Sequence, residues 1–207
     1  MMTAQDIIKL FDLKPLPEEG GYYKEVYRAN GKIPHNVLKS HSGDRSYSTA
    51  IYYLITPTEF SGFHRVCSDE IFHFYMGDTV EMVQITSKGE LKRVLIGNNL
   101  SSDTQPQVIV PADVWQGTRL VDGGTWALLG CTVAPGFEFA DFEGGSFEEL
   151  LHLFPQHEKI FRKYIFPRSE SSFSIYSTGK FITSIFARRA GSRTMGTPNF
   201  FKKSKVR

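Results

Sequence analysis

Phe63-His64-Arg65-Val66-Cys67-Ser68-Asp69-Glu70-Ile71-Phe72-His73-Phe74-Tyr75-Met76-Gly77-Asp78 is the stretch on which the reading of this chain turns. Phe63–Val66 and Glu70–Tyr75 are rich in aromatic and β-branched residues, as strands are, and Gly77-Asp78 has the composition of a turn. Side chains alternate faces along a strand, so His64 and Val66 share one face. A turn through Cys67-Ser68-Asp69 can return Glu70, Phe72 and Phe74 to that same face. The stretch therefore predicts two short strands that bring an imidazole and a carboxylate together inside a β-structure.

Strand signals continue on both sides of it. They cover 22–28, 47–56, 79–86, 90–96, 107–110, 116–121 and 125–134, with turns at Gly77-Asp78, Lys88-Gly89 and Asp122-Gly123-Gly124. No helix intervenes among the central strands, which argues against a parallel α/β sheet and for a sandwich or closed barrel. Helices are predicted only at the flanks. Thr3 can cap one through Ile7, Ile8, Leu10 and Phe11, Pro15 and Pro17 end it, and Ser146 can cap another over 147–154, followed by one over 156–164. The segment 30–45 reads as a polar loop. The 207 residues are 41% hydrophobic and 14% aromatic, with 17 Phe and 9 Tyr, which excludes a fibrous or wholly disordered chain. There is no Gly-rich phosphate loop, no GxSxG, no HExxH and no internal repeat.

A second block, Val110-Pro111-Ala112-Asp113-Val114-Trp115-Gln116, completes a pattern. Together with the first it resembles the cupin superfamily, whose first block reads HxH, three or four residues, Glu, six residues, Gly, and whose second reads PxGxxH. His64, Glu70 and Gly77 match the first block, and Val66 stands at the second His. Pro111 matches the second block, while Asp113 and Gln116 stand at the Gly and the last His. More narrowly the chain resembles the cupin-5 family, formerly a domain of unknown function, through Glu19-Gly20-Gly21-Tyr22-Tyr23, Phe63-His64-Arg65, Ser68-Asp69-Glu70, His73-Phe74-Tyr75, Trp115-Gln116, Gly130-Cys131 and Val133-Ala134-Pro135-Gly136-Phe137. The resemblance implies an all-β fold, a cupin-type double-stranded β-helix or jelly-roll barrel with short flanking α-helices, over residues 1–165. It also implies a homodimer, since cupins often pair through edge strands.

The superfamily's metal-binding members present three His and one carboxylate to a divalent ion. Here His64, Glu70 and Gln116 would be the metal ligands, and imidazole with carboxylate suits iron, manganese, nickel or zinc. The alternative is a metal-free pocket in which His64 and Glu70 form a hydrogen-bonded polar pair. Three functions follow. The first is an epimerase- or isomerase-like enzyme acting on a sugar or other polar metabolite. Its catalytic residues would come from His64, His73 and Glu70, with Tyr53 or Tyr75 as acid, and Trp115 and Gln116 would contact the ligand. The second is a non-catalytic small-molecule binder with the same Tyr53, Tyr75, Trp115 and Gln116 lining. The third is a metal-dependent oxygenase or isomerase.

The net charge of +2 hides an asymmetry. From residue 166 to 207 there are nine Lys or Arg against one acid, Glu170, leaving an acidic body. This basic, Ser-rich C-terminal extension is expected to be disordered, with Phe173–Phe186 able to form a hairpin. A solvated extension is favoured over nucleic-acid contact. No run of apolar residues is long enough for a membrane span, the start lacks the features of a secretory signal, and a cytoplasmic protein is expected. Cys67 and Cys131 match no disulfide framework or CxxC motif and read as reduced buried thiols.

Overall fold

The computed structural model describes residues 2–100 and 102–166. Among them fourteen strands run in chain order: β1 (Lys14–Pro15), β2 (Tyr22–Arg28), β3 (Lys32–Ile33), β4 (Arg45–Ser46), β5 (Thr49–Ile55), β6 (Ser61–Val66), β7 (Asp69–Gly77), β8 (Val80–Ile85), β9 (Leu91–Ile96), β10 (Thr104–Gln105), β11 (Gln107–Val110), β12 (Trp115–Leu120), β13 (Ala127–Ala134) and β14 (Phe142–Gly144). One six-stranded sheet has the order β1-β2-β5-β13-β7-β11 and the other β10-β9-β8-β12-β6-β14. Pairing is antiparallel throughout both, except for the short β9–β10 pair. The architecture is all-β, as the strand pattern required, and is the jelly roll that the resemblance implied.

Alternation along the strands divides the apolar residues between the barrel interior and two outer cores. Facing inward are Tyr53, Ile55, Phe72, Leu129 and Cys131 from the first sheet and Val80, Met82, Val94, Ile96 and Leu120 from the second, all in one buried cluster. Their neighbours along each strand face out, and helices cover part of each outer face. Helix α1 (Ala4–Phe11) lays Ile7 against Leu13, Leu54 and Leu128 on the back of the first sheet. Burying such side chains contributes about 1.5–3 kcal/mol each. Thr3 closes the predicted cap: its hydroxyl accepts from the Asp6 amide and the Asp6 carboxylate accepts from the Thr3 amide.

Helices α2 (Phe147–Leu153) and α3 (Glu158–Tyr164) cover the back of the second sheet. There Leu150, Phe154, Ile160, Phe161 and Tyr164 pack on Phe63, Val83, Ile85 and Trp115. The chain past α3 ends its described part with Phe166 stacked on Phe60, ring centroids 4.0 Å apart. None of these helices is long and apolar enough to cross a membrane.

The segment 30–45, expected to be a loop, holds β3 and β4, which pair with each other. Its end is anchored by Arg45, whose Nε and Nη2 donate to the two Asp141 carboxylate oxygens at 2.6 Å with both residues buried. Arg28 likewise pairs with Glu25 and Glu138, so both arginines serve ion pairs. Of the two thiols only Cys131 is buried; Cys67, in the β6–β7 turn, is half-buried. The extension from residue 167 and its Phe173–Phe186 hairpin lie outside the described residues.

Candidate functional site

His64 on β6 and Gln116 on β12 are paired across the second sheet, and Glu70 opens β7 in the first. All three point into the barrel and are nearly inaccessible, at 1%, 1% and 6% exposure. The imidazole is fixed from behind: His64 Nδ1 lies 2.8 Å from the Gly62 carbonyl oxygen, which can only accept, so Nδ1 carries a hydrogen. Its Nε2 faces the centre of the group, 3.3 Å from Gln116 Nε2, 3.8 Å from Glu70 Oε2 and 3.9 Å from Glu19 Oε2. Gln116 Nε2 also donates to Glu70 Oε2, and Cys131 Sγ donates to Glu70 Oε1 at 3.5 Å. The Phe142 ring stacks on His64 at 5.3 Å.

Glu19 was not expected here. It sits in the turn before β2, where Glu18, Gly20 and Gly21 all have positive φ (65°, 95° and 71°) and fold the backbone back on itself. A Cβ at Gly21 would lie 2.8 Å from the Tyr53 ring, so glycine is needed there for two reasons. The result turns the Glu19 carboxylate inward, where Ser61 Oγ donates to Oε1 at 2.9 Å. A register shift between β6 and β12 sets Ser61 opposite Thr118 and lets it join the face of His64, three residues away. Tyr53, fully buried on β5, donates its hydroxyl to the Gly20 carbonyl at 2.9 Å and holds this turn. The only sequence clue to Glu19 is a carboxylate directly before two glycines and a strand.

Three expected site residues are not in this group. Trp115 points to the other face of β12, as its odd number relative to Gln116 requires, and packs among Phe63, Leu150 and Tyr164 with Arg65 over its ring. His73 and Tyr75 are an odd number of residues from Glu70 and lie on the outer face of the first sheet. There His73 Nε2 meets Thr132 Oγ1 at 3.2 Å and the Tyr75 ring packs edge-on to Tyr52. A bulge does occur beside β7, between Leu128 and Leu129 of β13, but it falls beyond His73 and does not turn it inward.

The electrostatics follow from two buried carboxylates sharing one imidazole. Burial opposes the imidazolium, yet Glu19 and Glu70 outweigh it and hold the His64 pKa at about 9. Burial pushes Glu19 up; the attraction of His64 counters this, and Glu70 adds its like charge. Burial likewise raises the Tyr53 hydroxyl and the Cys131 thiol far above their usual ranges, with nearby carboxylates adding to it, so both stay protonated.

The expected ligands do not fit a resident divalent ion. Val66 offers no donor, and the amide N–H group of Gln116 occupies the position between His64 Nε2 and Glu70 Oε2, where it donates to the carboxylate and repels a cation. The arrangement is that of a buried polar cluster with acid–base capacity.

Residues 5–145 match the family Cupin_5, described as Cupin superfamily (DUF985). The chain is 30% identical to the uncharacterized protein YML079W of Saccharomyces cerevisiae over 148 residues, 65% of this chain and 72% of that protein. Among solved structures, protein SO0799 from Shewanella oneidensis is similar with a TM-score of 0.73 and 33% identity, covering 81% of this chain and all of that one. A hypothetical protein from Leishmania major is similar with a TM-score of 0.73 and 32% identity over 80% of this chain and all of that one. With jelly roll, motif blocks and family match in agreement, the chain belongs to the Cupin_5 family of the cupin superfamily.

Proposed function

We propose that this protein binds a small polar metabolite at the Glu19–His64–Glu70–Gln116 cluster and acts on it by metal-independent proton transfer, as an epimerase or isomerase does. The observation that carries this reading is the single imidazole, oriented by the Gly62 carbonyl and facing two buried carboxylates. An imidazole so held can move a proton to or from a carbon beside a carbonyl, and Tyr53, kept protonated by burial, is the nearby acid. Incubating the protein with keto- and aldose sugars in deuterated water tests it: deuterium at the acidic carbon is expected, abolished by His64→Gln. No exchange across the panel overturns catalysis.

The near-complete burial of the cluster favours, as a second reading, a binder that releases its ligand unchanged. Ligands that raise the melting temperature and are recovered unaltered would support it over the enzyme. The proposal also includes a homodimer. The outer face of the first sheet leaves Ile109 and Tyr75 53% and 47% exposed, and β11 is an open edge beside them. A monomeric mass in sedimentation would remove that part.

A further inference from the structure

Two buried polar atoms at the cluster have no partner. Gln116 Oε1 and Thr118 Oγ1 are both inaccessible and make no hydrogen bond. They stand two residues apart on β12, so they share the inward face, opposite His64 and Ser61 respectively. Thr118 itself is 0% exposed. Orphaned buried polar atoms are rare and costly, so two on one face mark a place where something else makes the bonds.

The surroundings restrict what that is. The carboxylates belong to the partners of these two residues: Glu70 accepts from Gln116 Nε2, and Glu19 accepts from Ser61, which stands opposite Thr118. The charged groups acting on Glu19 and His64 are one another and Glu70, with no Lys or Arg among them. Arg45 is the one buried Arg or Lys among the described residues, and Asp141 already neutralises it. His64, protonated below about pH 9, offsets one of the two carboxylates, so the cluster keeps free acceptors and a net negative charge, and no second cation stands ready for a phosphate or carboxylate.

We infer that the ligand of this site is donor-rich and not anionic, an amine-bearing polyol being the best match, with its ammonium on the carboxylate that His64 leaves unpaired and its hydroxyls on Gln116 Oε1 and Thr118 Oγ1. This rests on the proposed ligand site and names its substrate class, excluding sugar nucleotides and sugar acids.

Four probes with one skeleton test it: 1-amino-1-deoxysorbitol, sorbitol, gluconate and sorbitol 6-phosphate, each titrated calorimetrically into the full chain in the presence of a chelator. The amine is expected to bind about tenfold more tightly than sorbitol, a charge-assisted bond's worth, and the two anions not measurably. Glu19→Gln should remove that tenfold preference, so that amine and sorbitol bind alike, which a merely structural role for Glu19 would not do. Thr118→Val, which removes an orphan without changing shape, should raise the melting temperature and weaken both the amine and sorbitol several-fold. Tighter binding of either anion, no binding of the amine, or a thermal shift with manganese but not with the amine overturns the inference. Solvent-exchange activity is read separately, so a catalytically silent protein that still ranks the probes as stated sinks the enzyme and leaves the ligand class standing.

Discussion

Gln116 Nε2 lies 3.3 Å from His64 Nε2 across the β6–β12 pair, and this contact between two nitrogens is possible only while one of them offers a lone pair. With Nδ1 holding its hydrogen against Gly62, neutral His64 offers that lone pair. Protonation removes it and hands the new N–H to Glu19 or Glu70, 3.9 and 3.8 Å away. The carboxylates prevail because charge attraction in a buried site exceeds a neutral amide bond.

A pH dependence of stability follows. The folded pKa of His64, about 9, lies above its ordinary value of 6.5. The resulting stabilisation is fully present below about pH 6.5 and is lost as pH rises through 9; by linkage it amounts to on the order of 3 kcal/mol. Melting temperatures of wild type and His64→Gln measured from pH 6 to 10 should therefore converge at the alkaline end. A gap that stays constant would contradict the charged state assigned to His64.

The Arg45–Asp141 pair should be brittle. Both side chains are buried and joined by two bonds, so Arg45→Met leaves an unpaired buried carboxylate, costing about 3–5 kcal/mol. The expected fall in melting temperature is roughly 10 °C. The double change Arg45→Met with Asp141→Leu should recover most of it, and no recovery would show that the loss came from packing.

Residues on the outward faces should separate stability from binding. Trp115→Ala should cost about 3–5 kcal/mol because it empties the core under α2 and α3, with probe affinities unchanged at temperatures where the protein is folded. His73→Gln and Tyr75→Phe should leave both nearly unchanged. A binding defect in any of the three would return that residue to the site.

A chain ending at Phe166 should keep cooperative unfolding and a melting temperature within a few degrees of full length, since both sheets and the core clusters of the described residues are complete within it. One ending at Tyr164 should be measurably weaker, having lost Phe166 from Phe60 and from the glycines at 20 and 62. Aggregation of the longer truncation would make residues 167–207 part of the fold.

Chelator dialysis should leave the melting temperature unchanged, and elemental analysis should find no stoichiometric iron, manganese, nickel or zinc. Metal retained in wild type and lost in both His64→Ala and Glu70→Ala would overturn the metal-free reading of the cluster.

Alternation and turn chemistry are local, and local properties were legible in the sequence. The strand periodicity, the Thr3 and Ser146 caps, the inward pairing of His64 with Glu70 and the separation of Tyr53 from Tyr52 all follow from a period of two and from capping residues. Trp115 and His73 could have been set aside by the same parity, counted from Gln116 and Glu70. Glu19 could not have been added that way. It is 45 residues from His64 in sequence, and only a turn with positive φ at Glu18, Gly20 and Gly21, seated on Tyr53 and closed by Ser61, swings its carboxylate into the barrel. The orphaned oxygens of Gln116 and Thr118 were equally out of reach, because whether a polar atom has a partner depends on groups brought from other strands. The sequence determined the central strands and the facing of residues wherever the alternation is unbroken; tertiary packing decided the shifted register at Ser61, the charge of the site and the bonds left for a ligand to make.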